Sequence, residues 1–308
     1  KNKIMLSITA AVLAAPLCAA YPAGQAPAVK VCGVKDRPSA LAALGAAKES
    51  GCDRLVIGLL IGITHASREK LSPEQAADLA GYIRDAAQGL NVSARIACVT
   101  HLKSADELYA LVRAIAAQTK ARPLFDIIQI HDAMPQAEIR RLRGLLPEVK
   151  IVKALSVPRS ASEAERKTIL GEAVDLAKKP YIDSLLLDSA NPAADQIGGT
   201  GITGDWALAR AVIEAVHKAC GKPVALAGGI NPDNAAKALA ETGADMLDAN
   251  TGFRYDRPGG KWKSAGSSES APKDVFAILA VMREAARFSS PYAAQLLEQG
   301  GKTKNEKN

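Results

Sequence analysis

Residues 185–210 read LLLDSANPAADQIGGTGITGDWALAR. An apolar run delivers Asp188, a stretch through Gly198-Gly199-Thr200-Gly201 follows, and a helix opens at Asp205-Trp206. A carboxyl at the end of a strand can act as a general acid or base. A glycine-rich loop bends at little cost and presents bare amides, so it can close over a ligand. A second reactive group sits near the start of the chain, in VKVCGV. Lys30 and Cys32 are two residues apart, so in a strand both side chains face the same way. An ammonium beside a thiol stabilises the thiolate and lowers its pKa, giving a base or a nucleophile; an inert buried thiol is the other reading.

Two further turns look built for an anion. Gly228-Gly229 and Asn250-Thr251-Gly252 each follow an apolar run. Glycine lets backbone N–H groups approach a phosphate with no Cβ in the way, although each could also be only a tight turn. The chain has four histidines, and three of them, His65, His101 and His131, also follow apolar runs. Together they could contact an acidic substituent or hold a metal ion, or simply face water. The expected site holds no metal. His217 falls within a helical segment and is expected at the surface.

The elements that carry these residues alternate regularly. Strand candidates span 29–34, 54–60, 94–100, 126–131, 150–157, 184–189, 223–229 and 245–252, each followed by helix signals. Ser72-Pro73-Glu74-Gln75 supplies an N-cap, a first-turn proline and a reciprocal partner; Ser104 with Glu107 and Ser162 with Glu165 repeat the pattern, Asn231-Pro232 opens a helix, and Gly243 closes it. Eight strand–helix units over roughly 250 residues predict an α/β fold, a single-domain (β/α)8 TIM barrel, with a doubly wound open sheet as the rival. In a barrel the ends of all strands share one rim. Cys32, His65, Arg68, His101, His131, Asp188 and the glycine turns would then surround one mouth.

Composition agrees. The 308 residues are 48% hydrophobic but only 4% aromatic, which suits helices packed on aliphatic strands. A formal charge of +7 with no basic run interleaved with aromatics argues against nucleic acid; the mild excess of Lys and Arg suits a phosphorylated or carboxylated metabolite, or serves solubility alone. Residues 1–28 read as a signal-like or disordered leader, too short in its apolar run to remain as a membrane span; an upstream start or a loosely docked helix is the alternative. The barrel is expected over 29–288, with a tail over 289–308. Cys32, Cys52, Cys98 and Cys220 are expected as free thiols, since no spacing suggests zinc.

With KVCGV, LLLDS leading to GGTG and DW, LAGGINPDN and LDANTG in this order, the chain resembles the phosphoribosylanthranilate isomerase family from about Val29 to Phe288. The resemblance implies a (β/α)8 barrel of tryptophan biosynthesis that converts an N-phosphoribosyl amine to an aminoketose phosphate by an Amadori rearrangement, with no cofactor. It implies Asp188 as the acid that opens the furanose ring and Cys32 as the base that removes the C2 proton. Substrate binding is expected from Lys30, Arg68, His65, His101, His131, Gly199, Thr200, Gly201, Gly228, Gly229, Asn250, Thr251 and Gly252. The family's arginine before the Ser-Pro-Glu helix falls, without a gap, on Glu69; a one-residue loop shift would bring Arg68 into its place. The resemblance implies a cytoplasmic enzyme, monomeric or homodimeric, or an exported protein if the leader works. The alternative is a divergent barrel that binds another phosphorylated or anionic ligand. Residues 254–272 form a polar insertion, read as a lid or as decoration.

Overall fold

The computed structural model describes residues 25–191, 196–197, 203–255 and 271–296. The leader up to residue 24, Gly199, Thr200 and Gly201, most of the insertion, and the tail beyond residue 296 lie outside the described residues.

Ten strands occur among the described residues: β1 (Ala28–Val31), β2 (Leu55–Ile61), β3 (Lys70–Leu71), β4 (Ala94–Thr100), β5 (Ile127–Ile130), β6 (Lys150–Val157), β7 (Ser184–Asn191), β8 (Gln196–Ile197), β9 (Val224–Leu226) and β10 (Met246–Ala249). Eight of them pair in parallel in the order β1-β10-β9-β7-β6-β5-β4-β2, and β2 pairs back onto β1, which closes the barrel. Closure removes the open edges that the rival doubly wound sheet would keep. The two extra strands are short: β3 extends the top of β2, and β8 folds back antiparallel on β7.

The helices between strands are α1 (Arg37–Ser50), α2 (Pro73–Leu90), α3 (Ala105–Ala116), α4 (Gln136–Leu145), α5 (Glu163–Ala177), α6 (Trp206–Cys220), α7 (Ala235–Thr242) and α8 (Val275–Ala285). Their ends follow the local chemistry. Ser72 and Ser162 form reciprocal capping boxes with Gln75 and Glu165, and Ser104 Oγ accepts from the Glu107 amide. Asp205 caps α6 by accepting from the Leu208 amide, and Gly243 ends α7 at φ 68°. α7 starts later than Asn231-Pro232 suggests, because Asn231 and Asn234 first close a turn: Asn231 N–H donates to Asn234 Oδ1.

Two apolar layers hold the fold. The larger lies between the strands and the helices. The smaller fills the lower barrel with inward residues such as Ala28, Val56, Ala97, Ile127, Leu186 and Met246. Side chains alternate along a strand, so the next inward positions above this plug are Lys30 on β1, Gln129 on β5, Asp188 on β7 and Asp248 on β10. The barrel interior therefore changes from hydrocarbon to polar within one layer. Gly58 on β2 makes the change possible, since a Cβ there would sit 2.9 Å from Lys30 Cε and 3.2 Å from Cys32 Sγ.

The opposite end is sealed by a separate network. Asp245 is fully buried, accepts from the Val224 amide, and meets His217 Nε2 at 2.8 Å and the Ser290 hydroxyl. His217 is thus not the free surface residue expected from its helix; it stacks on Tyr292 and pairs with Asp245 because α6 lays its last turn across the barrel base. Gln25 and Ser290 exchange backbone hydrogen bonds beside it, so ordered structure flanks the 29–288 span. The four cysteines are free thiols.

Candidate active site

The upper mouth holds a cleft of about 890 Å³. Cys32, His65, His101, His131, Asp188, Gly228, Gly229, Asn250, Thr251 and Gly252 all border it, as the shared rim predicts. Lys30 and Arg68 do not.

Lys30 lies under the floor, 1% exposed. Its ammonium donates to Asp248 Oδ2 at 2.7 Å and to Gln129 Oε1 at 2.6 Å, and stands 3.6 Å from Cys32 Sγ. The expected depression of the Cys32 pKa does not occur. Burial pushes the thiol up to about 11, outweighing the lysine, whose charge is already matched by Asp248. Asp248 is likewise pushed up by burial, against the pull of Lys30. Its Oδ1 finds no hydrogen-bond partner among the described residues and belongs to a group that borders the cleft.

Asp188 has the same property. It is 5% exposed, its Oδ2 is 3.4 Å from His131 Nε2, and its Oδ1 is buried without a partner among the described residues. A buried carboxylate oxygen left without a donor is costly unless a ligand supplies one. The cleft thus offers two such oxygens, one on β7 and one on β10, with the Cys32 thiol just past the end of β1.

The three rim histidines come together. The rings of His65 and His101 are 4.9 Å apart and those of His101 and His131 5.6 Å, the latter pair within 9° of parallel. Burial, and then the neighbouring imidazoles, lower the His101 pKa to about 4. His101 is therefore neutral at neutral pH and offers a flat face and a hydrogen bond rather than a cationic contact. No cluster of three or more metal-ligating side chains among the described residues is arranged to hold an ion.

The glycine turns pack against each other on the far side. Gly228 and Gly229 have φ of 86° and 65°, which favours glycine at both. A Cβ on Gly228 would overlap Ser189 Oγ, and one on Gly252 would overlap the Ile230 carbonyl oxygen. Asn231 and Asn234 side-chain amides both donate to the Gly229 carbonyl, at 3.2 and 2.8 Å, and fix the turn ahead of α7. The result is a concave backbone surface next to a helix N-terminus, suited to an anion.

The loop after β2 does not shift to bring Arg68 inward. Arg68 is exposed beside a shallow outer hollow, and Glu69 takes the inward place, 2% exposed. Glu69 meets Arg254 Nη2 at 2.9 Å, Arg254 Nε at 3.1 Å, Lys273 Nζ at 3.6 Å and Asn250 Nδ2 at 2.7 Å. Sequence reasoning gave no role to Gln129, Asp248 or Arg254, and named Glu69 only as the residue at the family's arginine position. Two of these had a signal, since Gln129 precedes His131 by two positions and Asp248 precedes Asn250 by two, which places each on an inward row.

Comparison with known proteins converges on one family. The model of N-(5'-phosphoribosyl)anthranilate (PRA) isomerase matches residues 105–259. N-(5'-phosphoribosyl)anthranilate isomerase 2 of Methanosarcina mazei is 27% identical over 229 residues, covering 73% of this chain and 85% of the relative. The isomerase of Agrobacterium fabrum is 34% identical over 180 residues, covering 57% of this chain and 68% of its own length. Among solved structures, the isomerase of Pyrococcus furiosus superposes with a TM-score of 0.58 at 17% identity, over 85% of this chain and all of that one. A phosphoribosyl anthranilate isomerase in complex with reduced 1-(o-carboxyphenylamino)-1-deoxyribulose 5-phosphate does so with 0.55 at 18%, with the same coverage. These two likenesses speak for the fold, while the sequence matches reach further, and on them the chain belongs to the N-(5'-phosphoribosyl)anthranilate isomerase family.

Proposed function

We propose that this barrel isomerises N-(5'-phosphoribosyl)anthranilate in tryptophan biosynthesis, as an aldose–ketose intramolecular oxidoreductase acting in the cytoplasm as a monomer or homodimer. The observation that carries the reading is the meeting, in one cleft, of the buried Asp188 carboxyl, the Cys32 thiol and the paired glycine turns. The solved relative bound to a reduced 1-(o-carboxyphenylamino)-1-deoxyribulose 5-phosphate supports the substrate class.

In this reading the Gly228-Gly229 and Gly252 amides hold the phosphate. Asp188, as the general acid, gives a proton to the furanose ring oxygen; the C1–O bond breaks and the nitrogen lone pair forms the C1=N iminium. The Cys32 thiol, having lost its proton to solvent once the iminium has formed, takes the C2 proton as thiolate, and the C2–H electrons form the C1=C2 bond while the C=N electrons return to nitrogen. Loss of the C2 hydroxyl proton and protonation of C1 then give the ketone. The high Cys32 pKa fits this order, because the iminium places a positive charge beside the thiol only after ring opening, and an adjacent opposite charge favours thiolate. Asp248 Oδ1 is placed to accept from a sugar hydroxyl.

The test is growth of a tryptophan auxotroph lacking this enzyme, with the chain expressed without residues 1–24, alongside a fluorescence assay of the purified protein. Rescue and turnover are expected. Soluble folded protein that neither rescues nor converts the substrate would overturn the proposal.

A further inference from the structure

His65 and His101 border the cleft but take no part in the ring-opening chemistry. Their placement follows from the strands. Inward positions run Ala97, Val99 and then residue 101 from β4, and Ile127, Gln129 and then residue 131 from β5. The ladder pairs Thr100 with Ile130, so the next residues, His101 and His131, stand side by side about one strand spacing apart. Backbone bonds pin both: His101 N–H donates to the Gly62 carbonyl at 3.2 Å, and His131 N–H to the Thr100 carbonyl at 2.9 Å. Ring centroids 5.6 Å apart and planes within 9° are the geometry of an offset stack. His65, arriving from the β2 side, meets His101 at 4.9 Å, tilted by 45°.

His131 needs that support. Its Nε2 faces Asp188 Oδ2 across 3.4 Å, a separation at which a small tilt of the ring loses the contact. Rotation of an imidazole about Cβ–Cγ is soft. Gln129 holds the ring at one edge atom, Nδ1, at 3.1 Å, which leaves the plane to be fixed by whatever lies on its face. His101 does this without bringing a charge. Lys103 and Asp132, the charged groups that act on it, pair with each other at 3.4 Å, while burial and the flanking imidazoles of His65 and His131 keep it neutral.

We infer that His101, backed by His65, is a positioning residue for the isomerisation: its ring fixes the plane of His131 and with it the donor that faces Asp188. The inference rests on the isomerase reading. It differs from the substrate contact that the sequence suggests for His101, and the two are separable. A contact with an acidic ring substituent acts on KM, whereas the orientation of a general acid acts on kcat.

The experiment measures kcat and KM with N-(5'-phosphoribosyl)anthranilate for the full chain and its variants, and follows the His131 ring by nitrogen NMR. H101F keeps a flat neutral ring on His131 and is expected to hold kcat within about threefold. H101L fills the same space without a flat face and is expected to lower kcat by about 10- to 100-fold, the cost of a misplaced catalytic group, with KM changed by less than about threefold. H65A should lower kcat by a smaller factor. The Nε2–H signal of His131 should persist in H101F and be lost to exchange with water in H101L, a difference that a merely structural role for residue 101 would not produce. Thermal melts check the fold, and H101A, which adds no bulk, serves if H101L does not fold. A folded H101L or H101A with wild-type kcat, or an H101F that loses as much kcat as H101L, would overturn the inference. So would an H101F that raises KM strongly at unchanged kcat, which would assign His101 to the ligand. Each of these spares the isomerase reading; a wild-type protein without turnover would remove both.

Discussion

Gln129 Nε2 lies 3.1 Å from His131 Nδ1 while Gln129 Oε1 accepts from Lys30 at 2.6 Å. Because the lysine can only donate, it fixes which end of the amide faces the histidine. The amide must donate to Nδ1, so the imidazole proton sits on Nε2, directed at Asp188 Oδ2. Asp248, Lys30, Gln129, His131 and Asp188 thus form one chain in which a buried ion pair below sets the tautomer of a ring above. Gln129→Glu should reverse that tautomer, since a carboxylate accepts from Nδ1–H and leaves an Nε2 lone pair facing Asp188. We expect kcat to fall by about 10-fold or more, the cost usually seen when such an orienting partner is changed. Nitrogen chemical shifts of His131 should move with it, and an unchanged tautomer would show that Gln129 does not set it.

Asp188→Asn keeps the shape of the side chain and its contact with His131 but removes the proton that the ring oxygen needs. Turnover should drop by about 10²–10⁴-fold, as for loss of a general acid, with affinity for a reduced product analogue nearly kept. Cys32→Ala should act the same way on the second step. Single-turnover traces separate the two, because the alanine variant can still open the ring. Near-normal turnover by Cys32→Ala would remove the thiol from the mechanism.

The barrel and its rim were legible in the sequence because strand spacing and caps are local signals. Ser72 with Gln75 and Ser162 with Glu165 close the boxes that their spacing suggests. The ends of strands gather at one mouth whatever the loops do, so Cys32, Asp188 and the histidines could be placed together before any contact was known. Charge balance could not be read this way. Lys30 looked like the partner of Cys32 at two residues' distance, yet Asp248, 218 residues away in the chain, takes its charge. Glu69 and Arg254, separated by 185 residues, are paired by barrel closure, which no window of sequence contains. The fate of Arg68 turned on a single residue of loop register, which only packing decides.

His101 should titrate far below an ordinary histidine, at about pH 4, because burial and its two imidazole neighbours oppose its charge. The sign for stability follows from linkage. The unfolded chain takes up this proton near pH 6.5 and the folded chain does not, so stability is fully present above pH 6.5 and is lost as the pH falls towards 4. His101→Phe should flatten the stability curve across that window while leaving it unchanged near pH 8. Urea unfolding at intervals between pH 8 and 4 measures this, and an equally steep acid limb in the variant would assign the loss to other groups.

Gly252→Ala tests whether the glycine turns need bare backbone. The added methyl would overlap the Ile230 carbonyl oxygen, which cannot rotate away, so the loops after β9 and β10 must separate. A loss of about 1–3 kcal/mol in stability is expected for overpacking of this kind, together with weaker binding of inorganic phosphate. Gly229→Asp adds charge repulsion at a position of positive φ and should weaken phosphate binding further. A folded Gly229→Asp protein that binds phosphate as before would place the phosphate elsewhere in the cleft.

The last prediction concerns the resting state of Cys32. With a pKa of about 11, roughly one thiol in a thousand is ionised at pH 8. Iodoacetamide should therefore label Cys32 slowly at pH 8 and about tenfold faster for each unit of pH above it, although the side chain borders an open cleft. The free enzyme's kcat/KM should rise over the same range, since that quantity reports the ionisation of free-enzyme groups. The limits of the experiment follow from the same shift. The unfolded thiol ionises near 9 and the folded one near 11, so this group's contribution to stability is present below pH 9 and is lost between 9 and 11. Rates are best taken between pH 7 and 9.5, with the fold monitored in parallel. Lys30→Met should push the thiol higher and slow labelling, because it removes the nearby positive charge that partly offsets burial. A labelling rate that levels off near neutral pH would show that the cleft ionises the thiol before substrate arrives, and ring opening would then not be what activates it.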